Sequence, residues 1–488
     1  MSTAAALALA VALAGCGTTN YIAGRPLPPS REQFRVLVAI QNPSSLGKGQ
    51  LQIMDAYYDE RSAYNGQPSS FFISGYGGSL PISIQNMPEE QAGAVYGYGD
   101  GSYYLVDYAT ESTTNPVSGL NGLSSSIFVT RNEQFVFSAN QASQVLTVIN
   151  RNNGSFVSLG LPNVYRVSVN PGGTVAMAFV QNSNYAYYAR QLTTAESVQY
   201  SGGSASWPRA AMDCEPQNRP TWCLFQVQSP DSIDTTGNYY GAPVVFDRPV
   251  KAVFSADGST AYVLNCGPEC GGNPAKPASI SLLPTAPLDF LPGLHSGLLP
   301  CNTGPCANAN TKPIVNVPIP GGASNALVDT NTMYVVGQEP QDVGGKTLFG
   351  GHLTVVNLPN LTPSAPVSIS DGVPGALSRM VEGDNNTLWI GMTGCTTGVR
   401  AAANQPVGCL TMYNTATQAV TIMPYLGNAT GIAAVTGLNK IYTAEGGQVY
   451  IYSTVNGHAI DNQFVTVTGT AYDVAYMDAV SDSDNTVY

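Results

Sequence analysis

A weak repeat, seen about eight times at intervals of roughly 40–50 residues, constrains this chain more than any other feature. Each copy begins with a short apolar run, a polar turn and an aromatic-rich strand. The clearest copy is Val253-Phe254-Ser255-Ala256-Asp257-Gly258-Ser259-Thr260-Ala261-Tyr262-Val263. A strand of alternating type follows, as in Val145-Leu146-Thr147-Val148-Ile149-Asn150. Alternation of this kind fits half-buried strands, and Gly, Asn and Asp fill the turns as tight hairpins require. A unit that cannot bury its apolar face alone must stack on its neighbours. The period and content therefore predict an all-β chain folded as a single β-propeller, one four-stranded blade per repeat.

The strand sets run in order: 35–40 with 50–58; 82–85, 93–98 and 102–108; 126–130, 134–139 and 145–150; 165–169, 174–181 and 185–191. They continue with 250–255, 260–266 and 278–283; 324–328, 332–337 and 352–357; 378–382, 387–392 and 409–414; 430–435, 440–444 and 448–453. The segment Ala471-Tyr472-Asp473-Val474-Ala475-Tyr476 reads as an inner strand with no blade after it, and 35–58 as a blade lacking its inner strand. Joining them makes one composite blade and removes the open edges of the ring. Eight blades result, with seven as the alternative. Two wide gaps, 200–247 and 284–323, contain Cys pairs and several Pro and read as loop insertions in a propeller spanning 34–488.

Composition agrees. Charged residues make up 10% of the 488, against about 25% in ordinary soluble domains. Gly (51), Pro (34) and an excess of Tyr (27) over Trp (3) describe a turn-rich β protein. The net charge of −12, with no Lys/Arg cluster, argues against nucleic acid as a partner.

Residues 4–14 form an apolar run too short to span a bilayer, ending in Leu13-Ala14-Gly15-Cys16. This ending resembles the lipobox of bacterial lipoproteins. The resemblance implies a signal peptide over 1–16, a diacylglycerol on Cys16 and a flexible tether over 17–33. Gly17 in place of Asp then implies release to the outer membrane, on its periplasmic or surface face. No Lys or Arg precedes the apolar run, a departure that points to a translation start upstream of Met1.

The eight remaining cysteines fall as close neighbours, with spacings of 9, 4, 5 and 14 residues. The expected disulfides are Cys214–Cys223, Cys266–Cys270, Cys301–Cys306 and Cys395–Cys409, each pinning a local loop in an oxidising compartment. The alternative for Cys266, Cys270, Cys301 and Cys306 is a zinc site, although no His accompanies them and paired thiolate knuckles are uncommon in exported proteins.

The stretch Asp257-Gly258-Ser259-Thr260-Ala261-Tyr262-Val263-Leu264-Asn265 resembles the YVTN-type repeat of bacterial surface β-propellers and the repeat of lactonase-like propellers. Residues 384–390, 437–443 and 484–488 are looser copies, so the resemblance covers most of 35–488. It is specific for fold and weak for function. Lactonase-like propellers use carboxylates, Arg or His in the axial channel, and no such set can be carried over onto this chain residue by residue.

His295, His352 and His458 all fall off the inner strands, and no hydrolase elbow, phosphate loop or dinucleotide fingerprint is present. Aligning the inner strands by their apolar runs does place Arg166, Lys251, Asn325, Arg379, Gly431 and Asp473 in equivalent slots. Such slots ring a propeller's channel, and three cations on one tier would hold a carboxylate or acidic sugar. The plainer reading is solvated channel residues paired with Asp473 and other acids. Asp257, Asp384, Asn385, Asn386, Asp482 and Asp484 occupy turns without the spacing of an EF-hand, so Ca²⁺ lacks support and no cofactor or metal is expected. The Tyr-rich strands (Tyr96, Tyr98, Tyr103, Tyr104 and Tyr108; Tyr185, Tyr187 and Tyr188) read as packing or as a platform for glycan or protein. The functional reading is a lipid-anchored binding or scaffold protein of the cell envelope, engaging a protein, glycan or small anion. The alternative is a lactonase-like hydrolase with its site at the channel mouth. A third reading, a component of an outer-membrane assembly, predicts a large exposed apolar patch.

Overall fold

The computed structural model describes residues 25–480 apart from 43–47, 60–71, 115, 118–119, 121–123, 205–206, 208–210, 229–242, 286–313, 376–378 and 461–463. Eight antiparallel sheets follow one another around an axis as the blades of a propeller. Taken in ring order from the composite blade, the innermost strands are Thr470–Tyr476, Pro81–Met87, Ser126–Val129, Val164–Val169, Pro249–Phe254, Asn325–Asp329, Arg379–Gly383 and Ala429–Val435.

The blades differ from the uniform four strands that the repeat predicts, having three to five. The composite and last blades have three, and isolated bridges stand where a fourth strand would lie: Gln52 to Phe72, Val449 to Val465 and Tyr452 to Ala459. The sixth blade has five, and so does the fourth. Its outer strands, Trp222–Gln226 and Ala211–Glu215, come from the 200–247 stretch. Val315–Ile319 closes the fifth blade from within 284–323. Both stretches lack a clear alternating signal because their strands are only five residues long, and Trp222–Gln226, buried between two neighbouring strands, is apolar on both faces.

Apolar side chains fill the wedges between blades. Trp389, fully buried, satisfies its indole N–H on Thr387 Oγ1 at 3.0 Å. Trp222 receives the edges of Phe135 and Phe137 at centroid distances of 5.3 and 5.7 Å, locking the third blade to the fourth.

The ring closes as the terminal strands predict. Arg35–Gln41 pairs with Thr470–Tyr476, Val36 opposite Tyr476, with a bulge at Ala39/Ile40. A buried ionic latch backs this pairing. Arg35, 3% exposed, donates from Nη2 to Asp478 Oδ1 at 2.6 Å and from Nη1 to Glu111 Oε1 at 2.9 Å and the Tyr108 carbonyl at 2.6 Å. Asp478 also accepts the Arg35 backbone N–H at 2.7 Å, and Glu111 accepts the Ser30 N–H at 2.7 Å. One guanidinium thus joins the N-terminal strand, the C-terminal end and the second blade.

Three expected disulfides are formed: Cys214–Cys223, Cys266–Cys270 and Cys395–Cys409. Cys301 and Cys306 lie outside the described residues, as do Cys16 and the segment before residue 25. Because Cys266 and Cys270 are bonded to each other, the zinc reading of that cluster is corrected. Three disulfides mark an oxidising, exported compartment. Among the described residues no helix is long and apolar enough to cross a membrane.

Candidate functional site in the axial channel

Each innermost strand has one edge with no strand beyond it, and its N–H and C=O groups need other partners. Polar side chains of neighbouring inner strands supply them. Asp473 Oδ2 accepts from Ile84 N–H at 2.8 Å. Gln85 accepts from Val129 N–H at 2.8 Å and donates to its carbonyl at 2.7 Å. Ser126 Oγ accepts from Val167 N–H, and Ser168 Oγ from Ala252 N–H, each at 3.2 Å. Lys251 Nζ donates to Asn325 Oδ1 at 2.9 Å, and Arg379 Nε to the Thr430 carbonyl at 3.1 Å. These side chains therefore carry the polar signal of the inner strands and sew blade to blade around the axis.

A cavity of about 540 Å³ occupies the channel. Four of the aligned residues line it: Arg166, Lys251, Asn325 and Arg379. Asp473 and Gly431 do not. Asp473 is fully buried behind Arg379, taking its Nη2 at 2.7 Å and its own neighbour's Val474 N–H at 2.9 Å. Its assignment as a ligand-contacting channel residue is therefore replaced by a neutralising and bridging one. Gly431 makes that bridge fit: a Cβ there would stand 2.6 Å from Asp473 Oδ1. The cavity wall is asymmetric. Beside the cations it carries Tyr96, Tyr103, Phe128, Val253 and Leu327, and no carboxylate lines it among the described residues.

Electrostatics single out Lys251. It is 5% exposed, and burial, then the Arg166 and Arg379 guanidinium groups, push its ammonium well below the usual lysine range. Arg166 lies 5.6 Å over the Tyr165 ring, whose hydroxyl donates to the Val250 carbonyl at 3.2 Å. Burial pushes the Asp473 carboxyl up to about 6, against the pull of Arg379 and two backbone amides.

Two further buried carboxylates escaped the sequence reading. Glu269 sits in the short turn Gly267–Cys270, closed by the Cys266–Cys270 disulfide, and accepts from Gln338 N–H at 2.9 Å and Gly375 N–H at 2.8 Å. Glu445 accepts the Tyr452 hydroxyl at 3.0 Å. Burial pushes each to about 7. Only the Cys-Gly-Pro-Glu-Cys spacing hinted at Glu269; nothing marked Glu445.

The remaining candidates have local roles. His352 Nδ1 lies 3.0 Å from the Gly350 carbonyl in the sixth blade, His458 sits in a hairpin turn, and His295 lies outside the described residues. Asp257 receives Ser255 Oγ and Ser259 N–H, and Asp384 receives the N–H groups of Gly437 and Asn439, as turn chemistry demands. Asn385 bonds Asn439 and Thr454, Asn386 takes a left-handed turn conformation, and Asp482 and Asp484 lie outside the described residues. Among the described residues no three His, Cys, Asp or Glu side chains stand together as a metal site. Tyr104, Tyr108, Tyr187 and Tyr188 are buried, Tyr96 and Tyr103 are buried on the cavity wall, and Tyr98 and Tyr185 are exposed.

Fold and site together define an eight-bladed propeller with a cation-lined channel. No protein-family model and no curated protein matches the sequence. In fold the chain is similar to dihydro-heme d1 dehydrogenase NirN in complex with DHE, with a TM-score of 0.50 at 10% identity over 96% of this chain and 80% of that one. Apo AztD from Citrobacter koseri gives 0.46 at 10% identity over 91% and 97%. The periplasmic gluconolactonase PpgL of Pseudomonas aeruginosa gives 0.40 at 13% identity over 93% and 99%. At these identities the likeness is one of fold.

Proposed function

We propose that this is an exported, lipid-anchored propeller of the bacterial cell envelope that binds a small organic anion in its axial channel. The observation that carries the reading is the convergence of Arg166, Lys251 and Arg379 on one cavity in a protein of net charge −12. An anion there would be held by the guanidinium groups of Arg131, Arg166 and Arg379 on the cavity wall, with Lys251 beside them. The three disulfides support export, and the Leu13-Ala14-Gly15-Cys16 sequence supports the anchor. The lactonase-like alternative draws no support from the cavity, whose described wall holds no carboxylate.

Titration with gluconate, galacturonate and pyruvate is expected to raise the thermal midpoint with at least one of them. Arg166→Ala should weaken that binding about tenfold, the loss of one charge-assisted hydrogen bond. Wild-type protein unmoved by every anion at millimolar concentration overturns the channel reading. Replacing Cys16 with Ser should release the protein from membranes into the soluble exported fraction. Continued membrane retention of that variant removes the anchor from the reading.

A further inference from the structure

We propose that Lys251 is a covalent site: its amine forms an imine with small 2-oxo acids that enter the channel cavity. Three observations on its surroundings support this. The side chain is buried on the wall of a cavity of about 540 Å³, ample for a three- to six-carbon acid. Its nitrogen is positioned by a neutral acceptor, Asn325 Oδ1 at 2.9 Å, which a neutral amine satisfies with one of its hydrogens. Three guanidinium groups, on Arg131, Arg166 and Arg379, share the cavity wall with it. A lysine desolvated beside other cations is the arrangement that yields a nucleophilic amine near neutral pH. The direction of its titration, set by burial and by Arg166 and Arg379, agrees with the geometry.

The chemistry balances without a further reactant. The Nζ lone pair attacks the carbonyl carbon, a C–N bond forms, and a proton moves from nitrogen to the carbonyl oxygen to give a carbinolamine. Loss of that hydroxyl with a second nitrogen-bound proton releases one water and leaves C=N. No oxidation state changes. A 2-oxo acid suits the site because its carboxylate is adjacent to the electrophilic carbon, so Arg166 holds the anion while Lys251 meets the carbonyl. The anionic half of this proposal rests on the channel reading above, and the amine half does not.

The test is reductive trapping of the full chain with sodium cyanoborohydride at neutral pH, using pyruvate or the neutral carbonyl glyceraldehyde, followed by peptide mapping. Lys48, Lys276 and Lys346 are exposed and act as internal controls in the same molecule. Lys251 is expected to label about tenfold faster than these, as a desolvated amine beside other cations does near neutral pH. Lys251→Met should abolish the dominant adduct. Labelling of Lys251 no faster than the exposed lysines, with either carbonyl, overturns the proposal even if that variant does not fold. The two readings separate cleanly. Preferential glyceraldehyde labelling with no pyruvate advantage keeps the reactive amine but overturns its 2-oxo acid preference and the anion reading. A pyruvate-dependent rise in thermal midpoint without an adduct keeps the anion site and overturns the amine.

Discussion

Replacing Arg35 with Ala is expected to cost about 3–5 kcal/mol of folding stability, measured as a fall in the urea-unfolding midpoint. The magnitude follows from what the guanidinium leaves behind. Asp478 is 1% exposed and Glu111 is 7% exposed, and each takes its cationic partner from Arg35. Without that residue two carboxylates remain in a poorly solvated seam. The Tyr108 carbonyl also loses a donor. Arg35→Lys should fall between wild type and Ala, because an ammonium keeps the charge but cannot span two carboxylates and a carbonyl as the planar fork does. A loss below about 1 kcal/mol for the Ala variant would show the seam to be wet, its pairs no stronger than surface ones. The seam closes the ring, so a large loss is expected to release the N-terminal strand before the rest unfolds. Proteolysis between residues 25 and 60 at sub-denaturing urea is the signature of that order.

Stability is expected to rise as pH falls from about 8 to about 5. Three buried carboxyls govern the sign: Asp473, raised to about 6, and Glu269 and Glu445, each raised to about 7. Their ordinary values are 3.8 and 4.5, so between those values and the raised ones the folded chain binds more protons than the unfolded chain. Each carboxyl therefore disfavours folding fully above its raised value and ceases to do so below its ordinary one. Glu196, lowered by the Thr193 backbone amide and by Arg190, opposes this at lower pH, and Lys251, lowered by burial and by Arg166 and Arg379, opposes it at the alkaline end of the window, against the three carboxyls. Unfolding midpoints at pH 5, 6.5 and 8 check the slope. Glu445→Gln, whose amide oxygen can still accept from Tyr452, should raise stability at pH 8 and flatten part of the profile. A midpoint that climbs with pH over this range contradicts the assignment of these three groups.

Much of the ring was legible before any tertiary structure. The repeat predicts the propeller, the orphan strand at Ala471–Tyr476 predicts the composite blade, and eight sheets close as that pairing requires. Both signals are local: alternation and turn residues are properties of a few consecutive positions. The disulfides at Cys214–Cys223, Cys266–Cys270 and Cys395–Cys409 were legible for the same reason, since their partners are 9, 4 and 14 residues apart. Aligned inner strands also grouped Arg166, Lys251, Asn325 and Arg379, and all four line the one cavity.

Other features have no local signal. Whether a slot on an inner strand faces the cavity or the next blade depends on the bulges and on what the neighbour offers. Asp473 turned to Ile84 N–H and Arg379, in the space that Gly431 leaves empty. The outer strands at 211–226 needed the third strand of their blade before they could be recognised as strands at all. The latch joins Arg35 to Asp478 across 443 residues, and the carboxyls of Glu269 and Glu445 titrate high only because other blades remove their water. The sequence by itself determined the architecture, the closure and the local crosslinks, since periodicity and short spacings encode them, while the choice of eight blades over seven came from the sheets themselves. Tertiary structure alone decided which charges lie in the cavity, which are neutralised behind it and which carboxyls lose their water, because desolvation and long-range pairing exist only once the ring has closed.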